Sequence, residues 1–162
     1  MTERTITSVE VNDRRVFNAG RGAGPACGGL VNVAYGHYNF AKGSETVSAT
    51  LVVALVALPD QSRILDLWYR TTGFGGTGGF VIGDASLSSR FMSGSLSAVP
   101  QFGRMISNGA VPPAGINYKV SLTASDVNSF YTVNFTINGA PTATASGCIA
   151  MTVYYTLDVA AT

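Results

Sequence analysis

Residues 130–157 read FYTVNFTINGAPTATASGCIAMTVYYTL. In the first half Tyr131, Val133, Phe135 and Ile137 alternate with Thr132, Asn134 and Thr136. In the second half Ile149, Met151, Val153, Tyr155 and Leu157 alternate with Ala150, Thr152, Tyr154 and Thr156. A period of two sends successive side chains to opposite faces of a sheet, so both halves read as half-buried antiparallel strands. Asn138-Gly139 between them is a strong hairpin signal, because both residues tolerate the positive φ of a tight turn. The β-branched and aromatic side chains suit a pleated surface, and Val133, Phe135, Ile137, Met151, Val153 and Tyr155 are the expected core contribution.

The same period extends back to Leu30. Val31, Val33 and Tyr35 share one face of residues 30–40, and Leu65, Leu67 and Tyr69 share one face of residues 63–72. Asp66 falls on the parity of Ile64 and Trp68, which makes the second face mixed. Tyr118, Val120 and Leu122 alternate cleanly with Lys119, Ser121 and Thr123, which predicts a further strand. Turn chemistry separates the runs at Leu58-Pro59-Asp60, in the stretch GFGGTGG of residues 73–79, and at Pro112-Pro113-Ala114-Gly115. VSATLVVALVAL at residues 47–58 is too short for a spanning helix, which needs about 20 apolar residues, and reads as a buried strand. From Leu30 onward no stretch shows apolar residues at helical spacing with a capping box. An all-β domain with an antiparallel β-sandwich, jelly-roll-like, is expected over residues 30–162, with an up-and-down barrel as its rival.

Residues 1–29 differ in kind. They hold Arg4, Arg14, Arg15 and Arg21, four of the 10 basic residues, and end in NAGRGAGPACGG. Glycine makes ordering such a stretch entropically costly, and Pro25 interrupts ladder bonding, so an extended N-terminal arm is expected. Val9, Val11, Val16 and Phe17 are more apolar groups than a solvated tail carries, and Arg14, Arg15 and Arg21 offer forked hydrogen bonds to carboxylates. Those seven residues are the candidate partner contacts.

The 162 residues fit one domain, and 46% hydrophobic with only 12% charged residues excludes disorder of the whole chain. A formal net charge of +1 gives no global field toward nucleic acid or an anionic membrane, so neither is expected as a partner. The N-terminal residues lack the apolar core of a secretory signal, and Cys27 and Cys148 are expected to be free thiols in a reducing cytoplasm.

Residue patterns that could carry chemistry are few. GFGGTGG lacks the Lys-Ser/Thr pair of a phosphate loop and leads into the strand Phe80-Val81-Ile82 rather than a helix. His37 is the single histidine, and neither a nucleophile elbow nor a Cys-His motif accompanies it. Asp60, Asp66 and Asp84 read as solvated loop acids without the spacing of a calcium site. Asn134-Phe135-Thr136 matches a glycosylation acceptor that its strand context makes incidental. Trp68 is expected in the core, against a sugar-stacking platform formed with Tyr69 and Phe74. No catalytic residue, metal site or cofactor is expected.

Four segments carry a resemblance: Tyr35-Gly36, VALVALPDQSRILDLWYRTT (residues 53–72), VIGDASLSSRFMSG (81–94) and ASGCIAMTVYYTLD (145–158). Within them stand Pro59, Asp66, Gly83-Asp84, Arg90-Phe91 and Val153-Tyr155-Asp158. In this order they resemble the cement, or decoration, proteins of tailed-phage heads. The resemblance implies a jelly-roll-like sandwich on the outer surface of the virion capsid, bridging subunits of the major capsid protein, with no catalytic residue. The low charge and apolar excess add self-association, as a homodimer on a local twofold axis or else a homotrimer. A head fibre or a receptor- or glycan-binding β-domain is the alternative function.

Overall fold

The apolar run of residues 51–58 is buried along its whole length, as its lack of polar alternation requires. It forms β3 (Leu51–Pro59) in a computed structural model that describes residues 4–7, 31–40, 47–76, 78–105, 115–122, 130–139, 141–142 and 147–157. The other strands are β1 (Arg4–Thr7), β2 (Asn32–Asn39), β4 (Ser62–Thr72), β5 (Gly75–Gly76), β6 (Gly79–Gly83), β7 (Met92–Ser95), β8 (Gln101–Arg104), β9 (Phe130–Asn138), β10 (Pro141–Thr142) and β11 (Cys148–Leu157). The described residues contain no helix.

Two sheets face each other, ordered β1-β3-β9-β6-β7 and β2-β11-β4-β8, with a minimal β10-β5 ribbon beside them. Setting β1 and the ribbon aside, the eight remaining strands pair first with last (β2 with β11), second with seventh (β3 with β9), third with sixth (β4 with β8) and fourth with fifth (β6 with β7). This nesting is a long antiparallel hairpin rolled over on itself, which is the eight-stranded jelly roll. The expected sandwich is therefore present, and the rival barrel is not. β1 adds a feature the alternation did not foretell, because Arg4–Thr7 pair parallel to β3 from Arg4↔Leu51 to Thr7↔Ala54.

The core lies between the sheets. Val133, Phe135, Ile137, Met151, Val153 and Tyr155 are all buried there, as their parity predicts. Tyr69 from one sheet meets Phe80 from the other edge-on at 4.9 Å, and Phe80 stacks on Phe135 at 4.7 Å. Gly36 on β2 faces the Leu55 carbonyl so closely that an added Cβ would sit 1.9 Å from the oxygen, so Tyr35-Gly36 marks a close approach of the two sheets.

Three sequence readings are corrected. Asn138-Gly139 does not close a hairpin, because β9 and β11 lie in different sheets; Gly139 has φ 103° and leads the chain on toward β10. Residues 117–122 form no strand and keep a single bridge, Lys119↔Arg63, although Val120 is buried. Period-two alternation reports burial of one face, and here three backbone hydrogen bonds to Ser62 and Ile64 around that bridge dock the segment on β4 without extending into a strand. Third, the mixed parity of β4 comes from a bulge at Leu65: Tyr154 pairs with Asp66 and Tyr155 with Ile64. The extra residue flips the pattern, so Ile64 and Leu67 point inward while Asp66 and Trp68 point outward.

Candidate functional site

The two sheets carry different outer faces. On the five-stranded sheet the outward positions of the paired strands β9, β6 and β7 are Thr132, Asn134, Thr136, Val81, Ser93 and Ser95, none of them aromatic and all but Val81 polar. On the four-stranded sheet the register builds three transverse rows. Val33, Tyr154 and Asp66 form the first; Tyr35, Thr152, Trp68 and Arg104 the second; His37, Ala150, Arg70 and Phe102 the third.

Most of the large apolar side chains in these rows remain open to solvent: Val33 is 56% exposed, Tyr35 50%, Trp68 48% and Phe102 87%. Val31, just before β2 and on the parity of Val33, is also exposed. The sequence reading of Trp68 as a core residue is thus corrected, as is its platform with Tyr69 and Phe74: Tyr69 points inward and Phe74 is buried. The bulge at Leu65 turns Trp68 outward, and no periodicity count anticipates a bulge. On β2 the apolar set Val31, Val33 and Tyr35 faces solvent, while Ala34 and Gly36 face the core, because the close approach to Leu55 leaves room only for small residues.

Polar contacts hold the middle of this face in shape. Asp66 is buried, contrary to its reading as a solvated acid. It accepts hydrogen bonds from Trp68 Nε1 at 2.8 Å and from the Leu67 amide at 2.9 Å, and pairs with Arg104 Nε. The Arg104 guanidinium lies 5.2 Å from the Trp68 ring centre, and Tyr154 is tilted against that ring at 6.3 Å. Thr152 and Ala150 are the small residues of the central strand, flanked by Tyr35 and His37 on one side and Trp68 and Arg70 on the other. Two strand spacings, about 10 Å, separate those walls. The rows are rich in Tyr, Trp, Phe and Arg and contain neither Lys nor Glu, the composition of a protein-contact core rather than of ordinary surface.

Asp84 is likewise buried rather than solvated. Its Oδ1 accepts from the Ser86 amide, the Ser86 hydroxyl and the Leu87 amide at 2.7–2.8 Å, and its other oxygen accepts from Arg90 Nε and the Tyr131 hydroxyl. Arg90 also lies 4.1 Å over the Tyr118 ring, and Phe91 beside it is fully buried. Burial pushes the Asp84 carboxyl up, but the bonds from Arg90, Tyr131, Ser86 and Leu87 outweigh it and hold the group at about 2. Burial and the bond to Asp84 push the Tyr131 phenol far above its usual range. Gly83-Asp84 and Arg90-Phe91 therefore tie the loop between β6 and β7 to β9 and to the segment at Tyr118. Asp60, by contrast, is exposed and accepts a hydrogen bond from the Leu122 amide at 3.0 Å. Among the described residues no three His, Cys, Asp or Glu side chains come together as metal ligands would.

The seven candidate contacts of the arm, Val9, Val11, Arg14, Arg15, Val16, Phe17 and Arg21, lie outside the described residues, as does Cys27.

No protein-family model matches the chain, and no curated protein sequence does either. In three dimensions it is similar to a chain of the capsid of Ralstonia phage GP4, with TM-score 0.68 at 13% identity over 97% of this chain and 100% of that one. It is also similar to a chain of the cyanophage Pam1 capsid asymmetric unit, with TM-score 0.58 at 20% identity over 86% of this chain and 90% of that one. The fold is one found in phage capsids. At such identities the likeness is one of backbone, and the aromatic outer face stands on the residues of this chain.

Proposed function

We propose that this chain is a non-enzymatic structural protein of a phage virion, a cement protein that binds the outside of the head and bridges neighbouring subunits of the major capsid protein. The observation that carries this reading is the exposed aromatic face of β2, β11, β4 and β8 on a fold shared with capsid chains. A sheet face with open Tyr35, Trp68 and Phe102 gains by covering apolar surface, and large exposed apolar patches on monomers mark interaction sites. The fixed pair of Arg104 and Asp66 supplies orientation. Residues 1–29 act as a second attachment: Val9, Val11, Val16 and Phe17 provide apolar contact, and Arg14, Arg15 and Arg21 take carboxylates of the shell.

The test is occupancy on purified heads lacking the protein. Wild-type chain should co-sediment with heads, and the double variant Trp68→Ser, Phe102→Ser should bind at least tenfold more weakly while keeping its β spectrum. Deleting residues 1–29 should also weaken binding. Full occupancy by all three proteins would refute the assignment of both contacts.

One observation favours a second reading as a glycan-binding virion module: the Trp68 ring is half exposed, with Tyr154 beside it, an arrangement that stacks a sugar face. Trp68-dependent binding to glycans by protein that ignores heads would favour it.

A further inference from the structure

Within the sandwich proper, β3 would be an edge strand, since its sheet runs β3-β9-β6-β7 once β1 is removed. Its residues Leu51–Leu58 are apolar and buried, without a single charge. Such an edge pairs indiscriminately with other strands unless something covers it. β1 supplies the cover over four positions of a nine-residue strand and, among the described residues, pairs with no other strand. The partner it needs is thus a β3 edge and nothing more, and every copy of the chain presents the same edge.

Residues 8–30 separate β1 from Val31. That length of chain reaches about 75 Å when extended, roughly twice the ~40 Å diameter expected for a domain of this size. A ladder formed in trans is the same ladder as in cis, so exchange between copies costs little beyond the difference in effective concentration. Copies held side by side on a shell present their edges at a high local concentration.

We infer that Arg4–Thr7 of one copy adds in parallel to β3 of a neighbouring copy in the assembly, at the register Arg4↔Leu51 to Thr7↔Ala54. The inference rests on the assembly reading above and deepens it by naming a second copy as the partner of the first strand. The exchange links copies through backbone hydrogen bonds and leaves the aromatic face available for the shell.

Cysteine pairs at opposed positions test it. On a full-length Cys27→Ser, Cys148→Ser background, Thr5→Cys and Val52→Cys are made as separate proteins, and Thr7→Cys with Ala54→Cys as a second pair. The two single-cysteine proteins are mixed, concentrated, oxidised and run on a non-reducing gel, with and without heads. A covalent dimer from either mixture, absent from each protein alone, is the expected result. If proteins carrying both cysteines of a pair close only within one chain and the mixtures give no dimer, the strand stays in cis and the inference falls. Absence of any bond in either pair removes the ladder and the inference with it. A dimer in solution together with failure to bind heads would keep the exchange and refute the shell reading.

Discussion

Replacing Asp84 with asparagine preserves its shape but removes the charge that Arg90 Nε, the Tyr131 hydroxyl and three bonds from Ser86 and Leu87 converge on. The carboxyl lies at about 2 in the folded chain, against 3.8 for an unperturbed aspartate. That difference corresponds to about 2 kcal/mol of stability. The folded-state value is depressed, so the contribution is fully present above pH ~4 and is lost as pH falls from there toward 2, where the unfolded chain takes up its proton first. Above that window Asp84→Asn should cost about 2 to 4 kcal/mol, the upper part reflecting an Arg90 side chain only 16% exposed and left without its anion. Urea unfolding followed by circular dichroism, in steps from pH 2 to pH 6, measures both proteins. The difference between their curves should shrink by about 2 kcal/mol between pH 4 and pH 2. A difference that is flat across this range, or near zero at pH 6, would refute the assignment of the loop's stability to this carboxylate.

Other substitutions probe the rest of the framework. Gly36→Ala should destabilise by about 3 kcal/mol or more, visible in the same urea titration, because its new methyl group meets the Leu55 carbonyl with no side chain able to move aside. Phe135→Ala should cost about 3 to 5 kcal/mol by removing the ring stacked on Phe80 and leaving a cavity between the sheets. Phe102→Ser should shift stability by less than about 0.5 kcal/mol, since the ring is almost wholly solvated, while reducing head binding. A large loss of stability from Phe102→Ser would show that the ring packs within its own chain and would remove it from the interface.

The residues alone determined that this is an all-β chain and named much of its core, because alternation in β9 and β11 is a local consequence of one face being buried. They also marked Gly36, Asp66, Gly83-Asp84 and Arg90-Phe91 as a pattern, without the reason for each. Tertiary structure supplied those reasons: a carbonyl against Gly36, and two carboxylates buried among donors from distant strands. It also decided what alternation could not. Whether an apolar set faces core or solvent depends on what lies across the sheet, and the close approach of β3 to Gly36 sends Val33 and Tyr35 outward. A single inserted residue at Leu65 sends Trp68 after them. The aromatic face is therefore a product of register and bulge, which arise from pairing between segments far apart in the chain and leave no signature in any one of them.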